Sequence, residues 1–229
     1  MKLVLLGAPG AGKGTQAVFL KDRHGLAHIS TGDILRQNIK DGTSLGLEAK
    51  KYMDAGQLVP DEVVMNMMKE KLASLPEGQG FMLDGFPRTV KQAEFLETIT
   101  KLDAVVMFKV SDDDIVKRLM NRAVCRSCGA ITTWDNDKCP ACGGELYRRA
   151  DDNEDTIRSR LKVFHEQTEA LIEFYRARNI LLEVDATGMP EEIFSRVLEL
   201  LKQSVTMELG FRSWGSWTGV LSGISCFLI

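Results

Sequence analysis

Apolar residues in this chain fall into short runs separated by longer stretches where they recur at helical spacing. Leu3 to Leu6, Leu26 to Ile29, Gly80 to Leu83, Ala104 to Val110 and Ile180 to Val184 are short enough for buried strands. Between them lie amphipathic stretches. Gln16 to Asp22 reads as a helix closed by Gly25. STGD at 30–33 offers N-cap side chains for a helix at about 32–40, and another follows at about 44–55. Pro60 and Asp61 open a helix whose Val63, Val64, Met67, Met68 and Leu72 share helical spacing. Further helices are predicted at about 89–99, as one long amphipathic element at about 152–178, and from Pro190 to about Gln203. Strands alternating with helices predict an α/β fold, a parallel sheet flanked by helices on both faces.

The segment at about 123–150 breaks this rhythm. It is rich in Cys, Gly and Thr, lacks helical periodicity, and reads as a small inserted lobe. Cys125 and Cys128 form one CxxC, and Cys139 and Cys142 another, ten residues on. Two such turns can bring four thiolates onto one tetrahedral Zn²⁺. Four sulfurs fill the shell and leave no place for water, so the zinc is expected to be structural, tying down a lobe too small to bury its own core. Disulfides or free thiols are the alternatives. A zinc ribbon can also bind nucleic acid, but Asp135, Asp137, Asp151, Asp152, Glu154 and Asp155 surround this one and oppose contact with a phosphate backbone.

Composition narrows the classes further. The chain has 229 residues, 44% hydrophobic and 27% charged, which suits one globular domain with insertions. Lys and Arg number 29 against 32 Asp and Glu, a net charge of −3, so no bulk nucleic-acid binder is expected and any anion site must be a local cluster. The apolar start MKLVLL stops at Gly7, too soon for a signal peptide, which points to the cytoplasm. Ser213 to Ile229 carries no charge, holds Trp214 and Trp217, and spaces Gly215, Gly219 and Gly223 by four, as a membrane helix can. Its 17 residues sit at the lower limit for spanning, so residues 204–229 are read as an extension rather than an anchor, with Cys226 a spare thiol.

Gly7 to Thr15, GAPGAGKGT, stands between a predicted strand and a predicted helix. Glycines let backbone N–H groups turn inward around a phosphate, a helix N-terminus faces the anion, and Lys13 can follow the β- and γ-phosphates. The strict pattern places Ser or Thr directly after Lys. Here Gly14 intervenes and Thr15 follows, which weakens the assignment of a hydroxyl to Mg²⁺. ATP carries about four negative charges and a phosphate acceptor about two more, so transfer between them calls for several cations at once. The chain offers Arg36, Arg88, Arg118, Arg122, Arg149 and Arg160, residues whose planar fork grips phosphate in two places. Asp84 follows a strand, where its carboxylate can face the ligand crevice and hold the hydration shell of Mg²⁺.

GAPGAGKGT, STGDILR, DGFPRT with Gln92 behind it, and RRADDNEDTIRSR together resemble the adenylate kinases that carry a long zinc-bearing lid, over about residues 1–203. The resemblance implies a P-loop nucleoside-monophosphate kinase fold, with a monophosphate lobe at about 30–59 and a lid at about 123–159. It implies that Gly10, Ala11, Gly12, Lys13, Gly14 and Thr15 hold the ATP phosphates, with Arg122 reaching in from the lid edge. Arg118 would stack on the ATP adenine, Met189 would meet it through the backbone, and Ile131 and Thr132 would touch it from the lid. The hairpin between the cysteine pairs is shorter than in that family, which puts the last two contacts in doubt. On the AMP side the resemblance implies Thr31, Gln57, Leu58, Val59, Gly85, Phe86, Pro87 and Gln92, with Arg36, Arg88, Arg149 and Arg160 on the AMP phosphate or the transferring group. The catalytic set is then Lys13, Asp84, Arg88, Arg122, Arg149 and Arg160.

The expected reaction is reversible transfer from MgATP to AMP giving two ADP, with Mg²⁺ and a structural Zn²⁺ and without a covalent enzyme intermediate. The expected partners are ATP and AMP alone, bound by a monomer, with no nucleic acid and no membrane. A kinase for another nucleoside monophosphate and a P-loop ATPase switch are the rival readings. His24, His28 and His165 are read as surface or packing residues, since this chemistry needs no acid–base histidine. Asp151 and Asp152 either brace lid arginines or start the long helix; Asp33 either touches the Mg²⁺ waters or caps a helix.

Overall fold

The computed structural model describes residues 1–208, so the uncharged stretch from Ser213 and Cys226 lie outside the described residues. Strands β1 (Lys2–Leu6), β2 (Ala27–Ser30), β3 (Phe81–Asp84), β4 (Ala104–Lys109) and β8 (Leu181–Asp185) form a parallel sheet in the order β2-β3-β1-β4-β8. Each short apolar run became one strand because both faces of the sheet are covered. Val4 and Leu6 face one core with Met68, Leu96 and Tyr175, while Leu3 and Leu5 face the other with Leu20, Phe194 and Val197. Helices α1 (Lys13–His24) and α9 (Pro190–Glu208) cover the second face. Helices α4 (Asp61–Ala73), α5 (Val90–Ile99) and α8 (Ala170–Arg176) supply Met68, Leu96 and Tyr175 to the first, and α2 (Thr31–Lys40) and α3 (Ser44–Asp54) pack on each other beside it.

Register decides where the chemistry sits. Leu5 and Ser30 both pair with Asp84, and Leu6 pairs with Met107, so the carboxyl ends of β1, β2, β3 and β4 lie level. Gly7, Thr31 and Gly85 therefore leave the sheet along one edge. The central strand β1 feeds the glycine loop at the point where the strand order reverses, which is where open α/β sheets hold ligands.

The structure departs from the sequence pattern in three places. Helix α6 (Asp112–Met120) has no counterpart in that reading, because DDDIVKRLM carries only Ile115 and Leu119 as fully buried positions. Ser111 caps it by accepting from Asp114 N–H at 3.2 Å, and its three aspartates suit the positive end of a helix. Second, the long helix expected at 152–178 is α7 (Glu154–Val163), a π-helical turn (Phe164–Thr168) and α8. Glu169 N–H reaches back five residues to Phe164 O at 2.9 Å, a widened turn that keeps Phe164 and Thr168 both buried. Third, α1 starts at Lys13, three residues before the expected point, and α9 runs on to Glu208.

The segment after α6 folds as a three-stranded antiparallel sheet of β5 (Arg122–Cys125), β6 (Ile131–Thr133) and β7 (Leu146–Tyr147), in the order β6-β5-β7. Its own small core cluster is Ala123, Cys125, Cys139 and Leu146, with Val124 of β5 also buried.

Candidate active site

The loop from Gly7 to Gly12 leaves β1 and turns into α1 through Gly12, whose φ of 96° is a left-handed conformation that a side chain would resist. Gly12 is the N-cap, and no side chain caps the helix, so its first amides are open to an anion. Lys13 lies back across the loop, donating to Gly7 O at 2.7 Å and Ala8 O at 2.9 Å. Burial pulls its ammonium down to about 8. Asp84 opposes that shift, while Arg88, Arg122 and Arg160 add to it.

A cleft of about 1470 Å³ runs from this loop between α2, α6, α7 and the lid sheet, larger than a site for one small ligand needs. Lys13, Arg36, Arg88, Arg122, Arg149 and Arg160 all line it, as does Asp84. Their mutual repulsion adds to burial: burial brings Arg88 down to about 10 with Arg160 next in effect, and brings Arg149 down to about 10 with Arg36 and Arg122 following. Such crowding of cations is stable only with anions among them. Without nucleotide the anions are aspartates. Asp152, whose side chain is 0% exposed, takes Arg122 through both oxygens, with Nε at 2.8 Å from Oδ2. Asp151 pairs with Arg160, and Asp33 pairs with Arg36 and lies 4.0 Å from Arg149.

These pairs resolve two open readings. Asp151 and Asp152 brace arginines, while Asn153 caps α7 by accepting from Thr156 N–H at 2.9 Å. Ser30 supplies the side-chain cap of α2, and Asp33, in the first turn, serves as the partner of arginines. At the end of β3, burial pushes Asp84 up. The nearby His28 ring and the charges of Lys13 and Arg88 outweigh burial and hold Asp84 below the usual carboxylate range. Asp84 is therefore an anion at neutral pH, as a holder of hydrated Mg²⁺ must be. His28 Nε2 stands 3.5 Å from Asp84 Oδ2, long for a hydrogen bond, and both line the cleft. The sequence pattern assigned His28 no role at the site; its place two residues before the end of β2, the strand that leads into STGD, was the available signal.

The remaining predicted residues divide into two groups. Gly10 to Thr15, Leu58, Gly85, Pro87, Arg118, Ile131 and Thr132 stand on the cleft wall. Thr31, Val59, Phe86 and Gln92 are buried behind it, Gln57 lies outside it, and the Met189 residue is 63% exposed away from the wall. Gln92 is fixed in orientation: its Oε1 accepts from Arg88 N–H at 2.8 Å and its Nε2 donates to Asp61 Oδ1 at 2.7 Å. Thr31 donates to Gly85 O at 2.8 Å, and Arg118 donates to Ala186 O at 2.9 Å. The lid sheet hangs over the loop, since a Cβ placed on Gly14 would come within 3.6 Å of Ile131 Cδ1.

The four lid cysteines point their sulfurs together, all within 4.8 Å. Cys125 and Cys142 are 3.5 Å apart and Cys128 and Cys139 3.7 Å, close to the ~3.8 Å between sulfurs of a tetrahedral zinc site. Backbone N–H groups of Cys128 and Ser127 draw the Cys125 thiol down to about 6. Gly144 N–H favours the Cys142 thiolate too, but the surrounding sulfurs push that thiol up to about 12. Crowded thiols that resist ionising together are what a divalent cation relieves, so the donor set fits a metal ion.

A family profile described as adenylate kinase matches residues 5–180. The adenylate kinase of Streptomyces griseus is 48% identical over 216 residues, covering 89% of this chain and 99% of that protein. That of Caldicellulosiruptor saccharolyticus is 49% identical, covering 88% of this chain and 98% of that protein. The adenylate kinase of Archaeoglobus fulgidus is 45% identical, covering 89% and 99%.

Proposed function

We propose, from the premise that this chain belongs to the adenylate kinase family and transfers the terminal phosphoryl group of MgATP to AMP, a division of labour among the residues of this cleft. The observation that carries the division is the gathering of Lys13, Arg36, Arg88, Arg122, Arg149 and Arg160 around one cleft with the ionised Asp84. ATP takes the glycine loop, where α1 amides and Lys13 meet its phosphates and Arg122 meets them from the lid side. Arg118, Ile131, Thr132 and the loop leading to α9 receive the adenine of ATP. AMP takes the other arm of the cleft, its phosphate on Arg36 and Arg88 and its base toward Gln92, Thr31 and residues 57–59. Arg149 and Arg160 serve the group in transit.

The AMP phosphate oxygen attacks the γ-phosphorus, the bond to the β–γ bridging oxygen breaks, and the released charge stays on ADP. No protein proton is required. The side chains therefore act by alignment and by stabilising charge that spreads over the moving group. Asp84 would hold waters of the magnesium ion carried by ATP, which when bound neutralises charge on the β- and γ-phosphates. Binding phosphate releases Arg122, Arg160 and Arg36 from Asp152, Asp151 and Asp33, so the aspartates keep the arginines in place before nucleotide arrives. The lid sheet over the loop excludes water, the competing acceptor. The four lid cysteines would hold a structural Zn²⁺. The lobe at about 30–59 and the lid at about 123–159 are the parts that move. A monomer in the cytoplasm, without nucleic-acid or membrane partners, completes the reading. It is supported by the net charge of −3 and by the lack, among the described residues, of a helix long and apolar enough to cross a membrane.

Complementary substitutions test the division. Arg36→Met is expected to raise KM for AMP about tenfold or more while KM for ATP stays within about twofold; Arg118→Met is expected to do the reverse. Initial rates over a grid of both nucleotides measure this. Equal rises in both constants for either variant would contradict two separate base-and-phosphate sites.

A further inference from the structure

Between β8 and α9 the chain passes through residues 186–189, and nearly every main-chain group there is already paired. Ala186 N–H donates to Lys109 O at 3.0 Å, and its carbonyl accepts from Arg118 at 2.9 Å. Thr187 N–H donates to Asp185 Oδ1 at 2.9 Å, and its carbonyl accepts from Arg196 Nη2 at 2.8 Å. Met189 N–H donates to Glu192 Oε2 at 3.1 Å, and its carbonyl accepts from the N–H groups of Glu192 and Ile193, each at 3.1 Å. Gly188 alone of these four has neither its N–H nor its carbonyl paired among the described residues, and it lines the cleft with Arg118 and Pro190. Met189, named from the sequence for a base contact, has its carbonyl committed to the start of α9.

Two side chains of α9 hold this turn. The Arg196 guanidinium bridges the carbonyls of Asp185 and Thr187, and Glu192 takes Met189 N–H and lies 4.0 Å from Arg196. They press closely on Gly188, whose φ is 96°: a Cβ there would fall 2.7 Å from Glu192 Oε2 and 3.3 Å from Arg196 Nη2. Neither side chain lines the cleft.

We propose that Arg196, with Glu192, is a positioning residue for the phosphoryl donor, fixing the Gly188 main chain as the edge that reads the donor base beside Arg118. The proposal rests on the assignment of the donor base to the Arg118 side of the cleft. An adenine edge presents an acceptor at N1 and a donor at its amino group. Guanine presents the opposite pair at the same two places, a donor at N1 and an acceptor at O6. An N–H and a carbonyl held in fixed directions match one edge and oppose the other, because a mismatched polar group loses its water without replacement. A turn free to rock would accept both. Arg196 thereby sets donor selectivity without touching the nucleotide.

Arg196→Met keeps the aliphatic stem and helix propensity and removes both carbonyl contacts. KM for ATP is expected to rise about five- to tenfold, with KM for AMP and kcat within about twofold, and the preference for ATP over GTP to narrow by a similar factor. Arg196→Lys, able to reach one carbonyl, should recover part of the loss. No change in KM for ATP, or equal changes in both KM values with a lowered Tm, overturns the proposal. Arg118→Met is measured alongside. If Arg118→Met raises KM for ATP and Arg196→Met does not, the clamp alone is wrong. If neither does, the donor-site assignment fails and takes the clamp with it.

Discussion

Lys13→Met lowers kcat/KM by about a thousandfold or more, roughly 4 kcal/mol of lost transition-state stabilisation. Lys13 is the cation at the mouth of α1, and the loop carbonyls of Gly7 and Ala8 hold it where phosphate would enter. Methionine fills the same volume without charge, so the fold should survive. The wild-type lysine also carries a proton signature that the variant should lose. In the empty cleft Lys13 titrates at about 8, mainly because it is buried, and a bound triphosphate restores the charged form by supplying anions. ATP binding therefore takes up roughly half a proton near pH 8 and almost none below pH 7, and ATP affinity weakens as pH climbs through 8. Calorimetry in buffers of different ionisation enthalpy reads this uptake. Its disappearance in Lys13→Met identifies the lysine as its source. Unchanged uptake in the variant, or a loss of activity under tenfold, would show that Lys13 does not meet the phosphates.

The parallel sheet was legible because short apolar runs and Gly or Pro punctuation are set by burial on both faces. The phosphate loop was legible because its glycines leave few alternatives. What escaped lay where tertiary partners decide. Helix α6 is polar apart from Ile115 and Leu119 and depends on its Ser111 cap and acidic first turn. The π-helical turn at Phe164–Thr168 shifts the phase of a helix whose pattern reads as continuous. At the site, the arginines stood out from their motifs, and Asp151 and Asp152 stood out as candidate braces, but which arginine each one takes did not. Asp152 and Arg122 are 30 residues apart, and nothing in either neighbourhood announces the pair. His28 beside Asp84 and Arg196 beneath the donor loop became visible only through contacts between elements.

Cysteine substitution in the lid gives the second large effect. The lid sheet's own core is the small cluster Ala123, Cys125, Cys139 and Leu146, with Val124 buried beside it, far too little apolar surface to hold three short strands. A bound zinc ion contributes on the order of 10 kcal/mol to folding such a lobe. Cys139→Ser, or a strong chelator, should remove one equivalent of zinc, make residues 123–150 the first protease-sensitive segment, and lower Tm by roughly 10 °C. Activity should fall as well, since Arg122 and Arg149 enter the cleft from the edges of this lobe. Metal analysis together with limited proteolysis checks it. A purified protein with no zinc, or a Tm indifferent to chelation, would mean that the four sulfurs do not hold the lid.

The cleft is expected to move phosphoryl groups between two nucleotides and to shield them from water. Phosphorus NMR of the purified protein with MgATP, with and without AMP, tests it directly. ADP should form only when AMP is present, and ADP alone should give ATP plus AMP. ADP and inorganic phosphate appearing equally well without AMP would contradict it, since water would then be the acceptor and the arginines beyond Lys13 would have no second phosphate to hold.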